Sequence, residues 1–245
     1  SGSLSKWQSD FISQFISTIF VALISFLLSV VLARKLGVVD FGNYSYLLGI
    51  AGIFMIFQNG GYKVLIFREG VNSNVKNLLS NAIGHLLFVT LAGLIFIFLF
   101  KPNNWPILIS SIFCMGLVVL SEFISSLFRS EGRYHLDSLW RIFLRTLSAL
   151  LILYIVFFFE VFTIGLIFLA WAMALLIGLV WPISKGLLSK PTFNIRNDFF
   201  RANMAFLTIE MATILYFRSD IVLLEYLGNN SGDVGQYAAA YRVLE

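Results

Sequence analysis

Long apolar stretches separated by short polar breaks set the pattern of this chain. Residues 11–33 contain no charge, and a helix needs about 20 apolar residues to cross a bilayer. The pattern predicts further helices over 41–66, with Lys63 near its end, and over 77–100, which is charge-free from Asn77 on. Pro102 and Pro106 frame a turn with Trp105 at the interface, and a fourth helix follows over 105–128, carrying Glu122. The uncharged core of the fifth, 146–159, is only 14 residues, so its span is expected to reach back past Arg145 toward Arg141. A sixth covers 161–181 and is ended by Pro182; a seventh covers 198–227; an eighth starts near Val234. The expected fold class is an all-α polytopic membrane bundle.

Charge changes this picture by giving it a direction. On alternate sides of the predicted spans the chain carries twelve Lys and Arg against three, the three being Arg34, Lys35 and Lys101. The positive-inside rule then puts the N-terminus in the cytoplasm.

One phrase occurs twice. Residues 32–46 read LARKLGVVDFGNYSY and residues 223–241 read LLEYLGNNSGDVGQYAAAY. The matched positions include Gly37 and Gly228, Gly42 and Gly235, and Tyr44 and Tyr237. Six spans separate the copies, and an even number brings the second back in the same orientation, as in parallel repeats. The chain is therefore expected to hold a six-helix lobe, 1–197, followed by helix 7 and a truncated helix 8 of a second lobe, 198–245, with the rest missing. Gly37 and Gly228 are expected to end helices, and Gly42 and Gly235 to let a neighbouring helix come close.

Composition excludes several classes. Hydrophobic residues make up 59% of the chain and charged ones 12%, against about 25% charge in a soluble domain. A single cysteine, Cys114, rules out a disulfide framework or a cysteine-rich metal site. There is no nucleotide-binding loop, zinc spacing or Gly-x-Ser-x-Gly elbow, so no cofactor, metal, nucleic-acid partner or catalytic residue is expected. The first apolar stretch lacks a signal-peptide cleavage pattern.

Ionisable groups inside spans are costly and are functional candidates by default. On helix 1, Asp10, Gln14, Thr18, Ser25 and Ser29 share one face. Such a stripe lines a wet cavity or packs against neighbouring helices through backbone-bonded hydroxyls. On helix 4, Glu122 and Arg129 share a face, and Glu122 lies at the depth of Arg145, so Glu122 and Arg145 are expected to form a switchable ion pair facing the cavity, the alternatives being a fixed structural pair or an Arg145 that snorkels to the interface. On helix 7, Glu210 is the most deeply placed carboxylate and suits a proton carrier. Arg218 and Asp220 lie nearer its far end, and an arginine fork is suited to anionic oxygens. The basic run Arg129, Arg133, Arg141, Arg145 is read as a topology signal with lipid-headgroup contact, or as a surface recruiting an anionic lipid-linked substrate. His85 reads as a helix-packing residue.

The segment LARKLGVVDFGNYSYLLGIAGIFMIFQNGGYKVLIFREG resembles the opening of the polysaccharide-repeat-unit, O-antigen type flippases of the multidrug/oligosaccharidyl-lipid/polysaccharide exporter superfamily. The resemblance rests on Leu36-Gly37, Asp40, Phe41-Gly42-Asn43-Tyr44, Asn59-Gly60-Gly61 and Arg68-Glu69. A second segment, FRSDIVLLEYLGNNSGDVGQYAAAYRVLE, resembles the family's helix 7–8 junction through Arg218, Asp220, Leu223, Leu224, Gly228, Gly235 and Tyr237. Asn59 stands where the family often has an acidic residue. The resemblance implies a multi-pass protein of a bacterial cytoplasmic membrane that moves a polyprenyl-pyrophosphate-linked oligosaccharide, used in lipopolysaccharide assembly, to the outer leaflet by alternating access. It also implies membrane lipid and a polysaccharide polymerase as partners, and a proton or sodium as coupling ion. Arg218, Asp220, Glu210, Arg145, Glu122, Gln14 and Asn59 are the residues expected to line the path. The rivals are a multidrug or cation exporter of the same superfamily, which Glu122, Glu210 and Asp220 would suit, and an envelope-assembly enzyme, which the short loops disfavour.

Overall fold

The computed structural model describes residues 2–69, 75–159, 162–188, 190–192, 197–228 and 231–244. Side chains are described for these except at 2–5, 69, 197–203, 205, 214, 217, 218, 228, 231 and 241–244. Eight helices follow one another among the described residues: α1 Gly2–Asn59, α2 Tyr62–Glu69, α3 Val75–Phe100, α4 Trp105–Ser130, α5 Tyr134–Phe158, α6 Ile164–Ser184, α7 Asn197–Gly228 and α8 Ser231–Leu244.

The expected polar loop between the first two spans is instead a single break at Gly37, with φ 74° and ψ 175°. That backbone region is open essentially to glycine alone, so one residue suffices to reverse the chain. Leu32 and Tyr44, Leu28 and Leu48, and Val21 and Met55 lie at nearly equal distances in sequence from the break, and all line one cavity. The two arms of α1 therefore run side by side, and this one element supplies two spans. The second span also stops earlier than its apolar pattern predicts. Gly60 and Gly61 both take positive φ, 56° and 77°, and α2 departs in a new direction.

α4 is the most enclosed of the candidate spans and touches α1, α2, α3, α5 and α6. Its buried face is rich in small residues, among them Ser110, Ser111, Cys114, Gly116, Ser121, Ser125 and Ser126, which let helices approach closely in lipid. Three of these serines satisfy their own hydroxyls: Ser110 donates to Ile107 O at 2.8 Å, Ser111 to Leu108 O at 2.9 Å and Ser121 to Val118 O at 2.7 Å. Phe123, Phe128 and Phe168 fill the space between helices and are fully buried.

The outer faces are apolar. Phe88, Leu91, Ile95 and Leu99 project outward from α3, and Leu150, Phe157 and Phe158 from α5. Such continuous exposed apolar surface is rare on monomeric soluble proteins; it is how a helical bundle meets lipid. Among the described residues five helices, α1, α3, α4, α5 and α6, are long and apolar enough to span, and the chain is a multi-pass membrane protein. α7 and α8 both pack along α1. After α6 the chain is pinned back on α3, where Thr192 N donates to Ser80 O at 3.1 Å and Thr192 Oγ1 to Asn81 Oδ1 at 2.6 Å.

The two copies of the repeated phrase meet. A Cβ added at Gly235 would overlap the carbonyl oxygen of Val38 and lie 3.2 Å from the backbone nitrogen of Gly42. Val234 and Ala238 are buried on either side of this contact. Gly228 is the last residue of α7.

Candidate functional site

A cavity of about 610 Å³ opens between both arms of α1 and helices α4, α5 and α6, with Lys63 of α2 closing one side. Its walls are mixed. Leu28, Leu32, Leu48 and Trp171 supply apolar surface, and Ser25, Ser29, Ser121, Ser125 and Ser148 supply hydroxyls. Ser25 and Ser29 donate back to Val21 O and Ser25 O at 2.6 and 2.9 Å, so the polar stripe of the first span both lines the cavity and caps its own backbone.

Five charged side chains face this space: Lys63, Glu122, Arg129, Arg141 and Arg145. Glu122 and Arg145, expected to pair, both line the cavity, and Lys63 also reaches the Glu122 carboxylate. Lys63 Nζ lies 3.0 Å from Glu122 Oε2, because the break at Gly60–Gly61 turns Lys63 back over α4. Arg145 places its guanidinium over the Trp171 ring, 5.6 Å from the centroid, a cation–π arrangement. The run of arginines is also more internal than a headgroup-facing surface. Three of the four line the cavity, and only Arg133 points away, pairing with Glu131 at 3.3 Å.

Helix α5 begins at Tyr134, well before the expected start. Arg133, Asp137, Arg141 and Arg145 fall at four-residue steps, so the charges occupy one helical face and need not lie outside the span. That spacing is the signal by which Asp137 is legible in the sequence. Its carboxylate has no exposed surface. Gln14 Nε2 donates to Asp137 Oδ2 at 3.0 Å, to Ser138 Oγ at 3.2 Å and to Tyr134 O at 2.9 Å, and Gln14 Oε1 accepts from Arg141 Nη2 at 2.7 Å. Gln14 thus ties α1 to α5 beside the cavity. At the start of the same stripe, Asp10 Oδ1 lies 3.4 Å from His135 Nε2.

Asn59 and Glu210 are brought together: Asn59 Nδ2 donates to Glu210 Oε2 at 2.6 Å, and Asn59 Oδ1 accepts from Lys63 N at 3.1 Å. One side chain therefore caps the start of α2 and holds α7. Glu210 stands within electrostatic reach of both Lys63 and Glu122, but it does not line the cavity. Asp220 lies apart from it also, accepting from Tyr237 OH at 2.5 Å and from Ile221 N at 2.8 Å. The side chain of Arg218 lies outside the described residues. His85 packs as expected, with Nε2 2.8 Å from Phe57 O and its ring beside Tyr62.

With four cations against one carboxylate on its walls, the cavity is chemically suited to hold an anionic group amid apolar surface.

Two solved structures share this architecture. One is the MATE multidrug transporter DinF-BH, solved in complex with a ligand, with a TM-score of 0.70 at 15% identity, covering 98% of this chain and 60% of that one. The other, a chain called protein A, has a TM-score of 0.69 at 14% identity with the same coverage. This chain thus spans about 60% of the length of each. At this level of identity the likeness is one of fold. No curated protein sequence matches. The family model described as polysaccharide biosynthesis protein matches residues 8–245, nearly the whole chain, and this protein belongs to that family.

Proposed function

We propose that this chain is the N-terminal part of a transporter that carries a polyprenyl-pyrophosphate-linked oligosaccharide from the cytoplasmic to the outer leaflet of a bacterial inner membrane. The observation that carries this reading is the excess of cations, Lys63, Arg129, Arg141 and Arg145 against Glu122, around a cavity in a polysaccharide-biosynthesis chain. A diphosphate headgroup is costly to bring into lipid and needs fixed cations on its path. Arginine meets phosphate oxygens with a planar fork, and the serine hydroxyls offer partners for sugar. In this reading residues 1–197 form one lobe and 198–245 begin a second, and the two rock against each other with the N-terminus in the cytoplasm. Glu210, held by Asn59 and facing the charge of Lys63, is the group we assign to coupling with a proton or sodium ion. The oligosaccharide delivered outside would pass to a polysaccharide polymerase.

The second reading, a multidrug or cation exporter, draws on the shared fold of a multidrug transporter and on Glu122. It is disfavoured by the sign of the cavity, which repels cations.

The test is a strain lacking the full-length gene. Accumulated lipid-linked repeat units with lost surface glycan, restored by the wild-type gene but not by an Arg145→Gln version, are expected. Unchanged lipid intermediates and normal glycan would sink the reading.

A further inference from the structure

Asp137 takes no part in the reading above. It sits in the first turn of α5 with no exposed surface, where a carboxylate is tolerated only if paired and hydrogen-bonded. Residues from three helices provide for it. Ser125 Oγ of α4 donates to Oδ1, Gln14 Nε2 of α1 donates to Oδ2 at 3.0 Å, and two arginine Nε atoms flank Oδ2, Arg129 at 3.7 Å and Arg141 at 3.5 Å. The arginines differ from the carboxylate in one respect. Their side chains keep 31% and 29% of their surface exposed, and both line the cavity. Their other nitrogens are held as well, Arg129 Nη2 donating to Ser126 Oγ at 3.2 Å and Arg141 Nη2 to Gln14 Oε1 at 2.7 Å.

Asp137 is not part of the cavity wall, so whatever it does for a ligand passes through the arginines. We propose that Asp137 is a positioning residue, which fixes Arg129 and Arg141 from behind so that their exposed faces are already set to receive the diphosphate of the lipid-linked substrate. This rests on the anionic-substrate reading given above. The physical gain is preorganisation. A free arginine loses rotamer freedom when it binds, and one already held by a buried counter-charge has less to lose. The same carboxylate also carries a negative charge beside an anion site. Removing it therefore has two effects of opposite sign. Coulomb's law alone makes an anion bind more tightly after Asp137→Asn, whereas loss of positioning makes it bind more weakly. A residue that merely staples α1, α4 and α5 together would change melting temperature without weakening anion affinity per folded molecule.

The experiment uses the full-length transporter in lipid nanodiscs, with farnesyl diphosphate as probe, by calorimetry on the monodisperse fraction of each variant. Wild type is expected to bind, and Asp137→Asn to weaken binding about tenfold, the size of one charge-assisted hydrogen bond. Ser125→Ala keeps every charge and removes one bond to Asp137; it is expected to weaken binding about threefold. Equal or tighter binding by Asp137→Asn overturns the proposal and leaves the transport reading standing. Should Asp137→Asn fail to fold, unchanged affinity in Ser125→Ala overturns it instead. Absence of binding by wild type overturns the anionic-substrate reading itself, and this proposal with it.

Discussion

At the end of the bundle that carries the start of α1, three helices meet through Gln14, Ser125, Arg129, Asp137 and Arg141. About 35 Å further along the same helix, at Val38 and Gly42, α1 meets α8 through bare backbone at Gly235. The first junction depends on side chains that need particular partners, because a buried charge without one is prohibitive. The second depends on the absence of a side chain, since any Cβ at Gly235 would collide with a carbonyl. A charged junction can exchange one partner for another, and a ligand can enter that exchange. A glycine seam offers no side chain to readjust, so it is either closed or parted.

Four changes would break or sharpen this contrast. Asp137→Ala removes the buried acceptor of the Gln14 and Ser125 hydrogen bonds and leaves two partly exposed arginines without their counter-charge, and is expected to lower stability by about 2–4 kcal/mol, read by thermal unfolding of the full-length protein. A loss below about 1 kcal/mol would mean that ion pairs do not hold the charged end. Asn59→Leu removes the donor to Glu210 at the meeting of α1 and α7 and is expected to lower stability by about 1.5–3 kcal/mol. No change there would show α7 to be held on α1 by apolar packing alone. Gly235→Val overpacks the seam, for about 1–3 kcal/mol, and should widen the distance between spin labels at Val39 and Gln236. An unchanged distance would mean that the seam tolerates a side chain. Glu122→Gln breaks the pair with Lys63, whose members are 29% and 36% exposed, so stability should shift by only about 0–1 kcal/mol while transport in cells falls. Transport at the wild-type level would confine Glu122 to a structural role.

Much of this is legible beforehand in particular residues. The apolar runs locate the spans, and the stripe from Asp10 to Ser29 does face the cavity and α5. Gly37 is expected to end a helix, though one glycine in a dihedral closed to other residues replaces the expected loop. Gly42 and Gly235 are expected to permit close approach, and they do so against each other. Glu122 and Arg145 are expected at one depth, and they do line one cavity. What escapes is partnership. Lys63 reads as a topology charge, and nothing in its local sequence shows that two left-handed glycines turn it onto Glu122. Asp137 is passed over when the fifth span is cut at its charges, although the four-residue steps from Arg133 to Arg145 extend the helix through it.

The amino-acid pattern by itself determined where the apolar runs of the first six spans lie, the faces along each helix, and the need for glycine at Gly37 and Gly235. These are local matters, governed by the 3.6-residue turn, the bilayer thickness and the sterics of one backbone. The tertiary structure alone decided which cation meets which carboxylate, and that the basic cavity lies within the first six spans while Glu210 and Asp220 stand outside its walls. Those outcomes depend on the rotation and register of helices packed about 8–10 Å apart. At that spacing a turn of one helix by a single residue step carries a charge from one partner to another.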